Sequence, residues 1–176
     1  MSVGPGGPDD LLGIADIYGR AARTSVATFD LDALPVEHWQ AMLTGTGPGK
    51  RFLVSRDGRG VTGFAYSTIF RSRPGYARTR ETSIYVREDA RGRGTGRALY
   101  AVLLDQLRAD GIHLVVAVVA QPNPASRQLH ERLGFSLVGT FDEVGYKFGR
   151  YVSTSWYQLQ LDRWQSDGLL PPPQRY

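Results

Sequence analysis

An α/β domain with a mixed central sheet is expected from this chain of 176 residues. From residue 81 onward an apolar run, an Arg/Gly loop, a helical repeat, a valine-rich run, a second helix and a further strand follow in turn. That alternation is the signature of an α/β fold. Leu99, Leu103 and Leu107 recur at i+4 with Val102 beside them, which makes one buried helix face. Residues 112–120 form a valine-rich run, apolar apart from His113, the pattern of a strand buried on both faces.

The elements can be taken in chain order. Residues 1–8 are too rich in glycine and proline to read as a strand. Asp9 or Asp10 caps a first helix, whose apolar face is Leu11, Leu12, Ile14, Ala15 and Ile17. Residues 34–43 form a shorter helix, and 44–50, with three glycines and a proline, a loop. Strands over 52–55 and 61–70 are joined by Asp57-Gly58-Arg59-Gly60, a hairpin signal. Pro74 and Gly75 mark a loop before a strand over 82–86. Gly111 ends the helix that follows the glycine loop. Asn123 then caps a helix with Pro124 at its first position, which runs to Leu133 and stops at Gly134. Strands over 135–141 and 153–161 close the fold, with Tyr157, Leu159 and Leu161 on one face. One domain is expected over residues 1–163, with a loose proline-rich tail over 164–176.

Composition narrows the function classes. Hydrophobic content of 41% and charged content of 22% are those of an ordinary globular protein. No apolar stretch approaches the ~20 residues of a membrane span. The N-terminus lacks the basic and apolar regions of a secretory signal, so a cytoplasmic protein is expected. With no cysteine there is no disulfide framework, thiolate nucleophile or Cys-ligated metal. The formal charge is +4, but residues 71–97 hold eight arginines against three acids. A basic surface suits nucleic acid, an acidic membrane or a polyanionic cofactor. Glycines among the arginines favour the cofactor, because only a ligand that approaches the main chain needs them.

Gly92, Gly94 and Gly96 alternate with Arg91, Arg93, Thr95 and Arg97 between an apolar strand and a helix. A loop of this kind offers main-chain N–H groups and a helix N-terminus to a phosphate. A Walker A loop is excluded, since no lysine lies between Lys50 and Lys147. A dinucleotide fingerprint is excluded by the glycine spacing and by apolar residues where its acid belongs.

The pattern Arg91-x-x-Gly94-x-Gly96 after an apolar strand resembles the acyl-CoA loop of the GNAT superfamily of acetyltransferases. Asn123 and the run Leu129-His130-Glu131-Arg132-Leu133-Gly134-Phe135 extend the resemblance. It narrows to the phosphinothricin acetyltransferase family through five ordered blocks over residues 9–161. These are Thr28-Phe29, Arg71-Ser-Arg73-x-x-Tyr76, Glu81-Thr-Ser-Ile-Tyr-Val86, Val116-Ala-Val118 with Pro122-Asn123, and Gly145-Tyr-Lys147-Phe-Gly149. The resemblance implies a mostly antiparallel central sheet flanked by helices, with two strands splayed into an acetyl-CoA cleft. It further implies acetyl-CoA as co-substrate, no metal and a homodimer.

The same resemblance assigns roles. Glu81 would be the base that takes a proton from the acceptor ammonium. Ile84, Tyr85 and Val86 would pair with the pantetheine arm, and residues 92–97 with Arg91 would hold the pyrophosphate. Asn123 would cap its helix and touch the cofactor, with Ser126 one turn before His130. His130 would protonate the leaving thiolate, orient Glu81 or pack. Arg71, Arg73 and Tyr76 would hold an anionic acceptor, as arginine forks do, and Phe29 would line its pocket. His38 and His113 read as structural. Arg80, where the family has a small residue, is expected to pull the Glu81 pKa down. Gly19, Phe148, Tyr151 and Ser153 also depart from the family pattern.

The function expected is transfer of acetyl from acetyl-CoA to the α-amine of a small amino acid or toxic analogue, by direct attack. The phosphinothricin and methionine sulfone or sulfoximine type is the class in view. Rival readings keep the fold but acetylate a protein N-terminus or a polyamine, or bind acyl-CoA without catalysis. Nucleic acid and membrane are not expected partners.

Overall fold

The computed structural model describes residues 1–161, so the tail expected over 164–176 lies outside the described residues. Seven strands form one sheet: β1 (Ser2–Pro5), β2 (Phe52–Asp57), β3 (Gly60–Ile69), β4 (Thr79–Val86), β5 (Leu114–Ala120), β6 (Ser136–Lys147) and β7 (Arg150–Gln160). Their order is β1-β2-β3-β4-β5-β7-β6. Every neighbouring pair is antiparallel except β4 with β5. The α-helices among the described residues are α1 (Leu11–Thr24), α2 (Val36–Thr44), α3 (Thr95–Ala109) and α4 (Pro124–Arg132). A mixed, mostly antiparallel sheet flanked by helices is thus what the chain forms.

The period-2 alternation of the strands sorts side chains into two cores. Leu53, Ala65, Val115, Ala117, Val119 and Tyr157 meet Leu99, Leu103 and Leu107 of α3, with Leu129 of α4 against them. Their strand neighbours Val54 and Phe64 face the other way, onto Ile14, Ile17 and Tyr18 of α1 and Trp39 of α2. The i+4 leucines are fully buried, as their spacing requires. Helix α3 crosses over from β4 to β5, the one parallel pair among the described residues, because parallel neighbours need a long connection.

Four sequence expectations are corrected. Residues 2–5 do form a strand, since β1 is an edge and pairs through its main chain with β2 despite Gly4 and Pro5. Leu12 points to solvent; the buried face of α1 continues instead through Tyr18, Ala21 and Ala22. Asp10 stands at the N-cap of α1, but its carboxylate makes no cap bond there: it accepts from Gly7 N–H at 2.8 Å and pairs with Arg56. Within β5, Val118 is 36% exposed while Val116 and Ala120 on the same face are buried, so the strand is open at this one position and not buried throughout.

Leu103 has no accessible surface and lies at the centre of the α3 interface. Leu103→Ala should cost about 2–5 kcal/mol in denaturant-induced unfolding. A loss below about 1 kcal/mol would mean that this core is not closely packed.

Candidate active site

The site begins where the sheet comes apart. Thr79, Arg80 and Glu81 pair in parallel with Leu114, Val115 and Val116, and beyond them β4 and β5 diverge. Each strand keeps its other neighbour: β4 stays in register with β3 through Val86, and β5 with β7 through Ala120. The Arg87 N–H donates to the Thr62 carbonyl at 2.9 Å in that β3–β4 register. Alternation therefore commits the main chain of Glu81, Ser83 and Tyr85 to β3 and turns that of Thr82, Ile84 and Val86 toward the gap. The Gln121 N–H on the Ser153 carbonyl, at 2.9 Å, fixes β5 likewise, with Val118 and Ala120 toward the gap. Two strand edges thus face one wedge, which an extended ligand can enter as a further strand.

This geometry separates residues that the sequence groups together. Ile84 and Val86 offer main chain to the wedge. Tyr85 does not: its main chain serves β3, and its ring packs 4.9 Å from Tyr18 and 5.3 Å from Phe64. Its hydroxyl belongs with those of Thr28 and Tyr18, on the α1 side.

The glycine loop lies beyond the C-terminal end of β4 and opens α3. Gly92 and Gly94 have φ of +71° and +84°, and a Cβ on either would meet nothing within 4 Å. Both therefore need glycine for conformation and leave open space for a ligand. Gly96 has another role, because a Cβ there would lie 3.1 Å from Leu129 and 3.5 Å from Ile84. It lets α3 approach α4 and β4. The Thr95 hydroxyl turns inward to the Ala90 carbonyl at 3.1 Å, leaving its N–H as the group available to an anion. Arg93 and Arg97 are exposed, while Arg91 ties the loop to β4 by donating from Nε to the Val86 carbonyl at 3.2 Å.

Glu81 is half-buried on the α1–α2 face, at the last paired position before the wedge. Burial pushes its pKa up, and the positive charge of Arg71 opposes this less strongly. The expectation that Arg80 would lower this pKa is overturned. Neighbouring side chains on a strand point to opposite faces, and the Arg80 guanidinium bonds the carbonyls of Pro48, Ala77 and Thr79. Arg71 lies with its guanidinium 4.6 Å from the Phe70 ring centre, and Tyr76 packs edge-on to that ring at 5.7 Å. Arg71, Arg73 and Tyr76 are all exposed on the turn that precedes β4. Phe29, on the loop between α1 and α2, lies against Gly145, where a Cβ would come within 2.1 Å of its ring.

His130 is on the opposite face of the sheet and only 2% exposed. Its Nδ1 is 2.8 Å from the Ser126 carbonyl, so Nδ1 carries the proton and Nε2 accepts from the Tyr100 hydroxyl at 2.9 Å. The Tyr100 oxygen lies 3.2 Å from the Thr82 hydroxyl, which reaches the Val116 carbonyl at 3.4 Å. This buried chain ends at the fork of β4 and β5. Orientation of Glu81 by His130 is not what the geometry provides, because the sheet lies between them. Asn123 caps α4 as expected, its Oδ1 accepting from Ser126 N–H at 3.1 Å. Among the described residues no group of three or more His, Asp or Glu is placed to share a metal ion.

Three participants carry no local signal. Thr82 and Tyr100 are an ordinary strand threonine and helix tyrosine until the fold brings them to His130. Lys147 lies within a quoted family block but has no role assigned from sequence. The structure buries it, with its ammonium donating to the Thr28 and Asp30 carbonyls.

Burial depresses the His130 pKa below its ordinary value of 6.5. A neutral buried histidine binds fewer protons than the unfolded one, so its contribution to stability is complete above that value and is lost as pH falls below it. Denaturant unfolding should show stability falling as pH drops below the ordinary value of 6.5, with a smaller fall in His130→Gln. Identical pH profiles for the two proteins would contradict this reading.

The model of the acetyltransferase (GNAT) family matches residues 13–135. A phosphinothricin N-acetyltransferase of Streptomyces coelicolor is 40% identical over 92% of this chain and 96% of its own length. An L-methionine sulfoximine/L-methionine sulfone acetyltransferase of Pseudomonas aeruginosa is 38% identical over 92% of this chain and 95% of its own. A solved phosphinothricin acetyltransferase of Sinorhizobium meliloti, in complex with acetyl-CoA, superposes with a TM-score of 0.86 at 34% identity. That superposition covers 97% of this chain and 95% of the other. The chain therefore belongs to the GNAT family of acetyltransferases, in its phosphinothricin N-acetyltransferase branch.

Proposed function

We propose that the protein transfers acetyl from acetyl-CoA to the α-amine of a small amino acid or amino-acid analogue of the phosphinothricin or methionine sulfone and sulfoximine type. The relatives named above support that acceptor class. The observation that carries the reading is a half-buried carboxylate, raised in pKa, at the fork of two open strand edges that end in a phosphate-type glycine loop. The loop residues 91–97 hold the pyrophosphate, and the edges of Ile84 and Val86 take the pantetheine arm. Acetyl-CoA supplies the activated thioester. An N–H at the wedge polarises its carbonyl oxygen as negative charge develops there.

Glu81 removes one proton from the acceptor ammonium, and its raised pKa brings it nearer to that task. The free amine then forms the C–N bond directly as the C–S bond breaks, and the second nitrogen proton ends on the sulfur. Arg71 and Arg73 pair with the anionic end of the acceptor, with Tyr76 beside them. An acceptor with several positive charges, such as a polyamine, would meet repulsion here. His130 serves as a positioning group through Tyr100 and Thr82, since its Nδ1 proton is held by the Ser126 carbonyl. Because acetyl-CoA is drawn from the metabolic pool, we place the enzyme in the cytoplasm.

We also infer a homodimer. Leu137, Phe141, Val144, Tyr146 and Tyr151 are all more than half exposed on the β6–β7 edge of the sheet, where a second copy can cover them. Sedimentation equilibrium should give the mass of two chains, and Val144→Lys should shift it toward one. A single-chain mass at micromolar concentration would reject the dimer.

Thiol release from acetyl-CoA, measured against phosphinothricin, methionine sulfone, spermidine and a peptide, tests the acceptor class. Turnover with the last two alone would overturn it. Glu81→Gln should lower kcat about 10²–10⁴-fold and leave acetyl-CoA binding intact. Folding raises the Glu81 pKa, so ionising it costs stability as pH rises through the folded value. The Glu81→Gln protein should accordingly melt at or above the wild-type temperature at neutral pH, the difference closing below the ordinary value of 4.5.

A further inference from the structure

We propose that Lys147 is a positioning residue for acceptor selectivity: its buried ammonium fixes the main chain of residues 28–30 so that the Phe29 ring stands as a rigid wall of the acceptor pocket. The inference rests on the acceptor side being the α1–α2 face, as proposed above.

Lys147 ends β6 and is 1% exposed. Its ammonium donates to the carbonyls of Thr28 and Asp30, at 2.7 Å each. Those two carbonyls flank Phe29, so a single charge restrains the residue between them from both sides. A compact ammonium with three donors suits this task, whereas the planar fork of arginine suits a carboxylate. Only two lysines occur among the 21 lysines and arginines of the chain, and one of them is here.

The loop is held from α1 as well. The Tyr18 hydroxyl donates to the Asp30 carboxylate at 2.5 Å and lies 2.8 Å from the Thr28 hydroxyl. Two glycines let the loop approach both of its supports. A Cβ on Gly145 would come within 2.1 Å of the Phe29 ring, and one on Gly19 within 2.8 Å of the Ala33 Cβ. The ring is nevertheless 38% exposed, so it is presented rather than buried. Burial raises the Tyr66 pKa, and the negative charges of Glu81 and Asp30 add to it.

The test is a pair of variants, each made in the wild-type and the Phe29→Ala background, assayed by thiol release with methionine sulfone. Lys147→Met frees the loop, and Gly145→Ala pushes the ring while keeping the charge. Each should raise KM for methionine sulfone by about tenfold or more and leave KM for acetyl-CoA within about twofold. In the Phe29→Ala background neither should add a further effect, because the group they position is gone. Amide hydrogen exchange over residues 25–33 should accelerate in Lys147→Met, a readout that needs no acceptor. Should Lys147→Met not fold, Gly145→Ala decides the question. An unchanged KM for the acceptor, an equal rise in KM for acetyl-CoA, an undiminished effect without Phe29, or unchanged exchange would each overturn the proposal. Failure of the wild type to acetylate methionine sulfone would instead reject the acceptor class, and the exchange experiment would still judge the loop.

Discussion

The separation of β4 from β5 is the constraint around which this molecule is arranged. Sheets normally satisfy the main chain on both sides of a central strand, and here two central strands give that up after three paired residues. The arrangement is tolerable because each strand stays fully paired on its outer side, to β3 and to β7. The helices then follow from the fork. α3 must start where β4 ends in order to cross to β5, so its N-terminus and the glycine loop fall at the mouth of the wedge. The main-chain anion site that the loop offers and the sheet topology are thus one feature of this chain.

The arginine-rich stretch also resolves into distinct tasks. Arg80 bonds main-chain carbonyls, Arg78 bonds the Gly111 carbonyl, and Arg87 joins Asp57, Asp89 and the Val61 carbonyl. These three are structural anchors at the ends of β4. Arg71 and Arg73 sit before the strand, and Arg91, Arg93 and Arg97 after it, all exposed. Exposed positive charge is therefore concentrated beyond the two ends of one strand. Glu81 lies between them, where burial outweighs the pull of Arg71.

Local periodicity made most of the fold legible. The α3 leucines, the 57–60 hairpin turn, the Asn123 cap and the glycine loop are each encoded within a few residues and appear where expected. β1 was not legible, because an edge strand that pairs through its main chain imposes no side-chain pattern. Nor was the full length of β6, whose register shifts beyond Leu137 and Phe141 break the alternation. In the site, residue types and order pointed to the cofactor loop and to Glu81. Direction was the missing information. Arg80 adjoins Glu81 in sequence and turns away from it, and Tyr85 belongs to the wedge by position yet to β3 by parity. His130 is explained by Tyr100, thirty residues distant, which no spacing announces.

The two buried polar groupings have a common logic. A hydroxyl or ammonium in a core is costly unless fully bonded, and a fully bonded one fixes its neighbours in a single arrangement. On the α3–α4 face, Ser126, His130, Tyr100 and Thr82 form a chain that ends where the strands part. On the α1–α2 face, Tyr18, Asp30 and Lys147 converge on the loop that bears Phe29. An apolar side chain could fill either space with comparable volume, but it could not fix the direction of a hydroxyl or hold a carbonyl. Polar groups are buried here at two positions where angle matters more than packing: the divergence of the strands and the loop that bears Phe29. The fork of the strands and the Phe29 loop are thereby held to the same sheet from opposite sides.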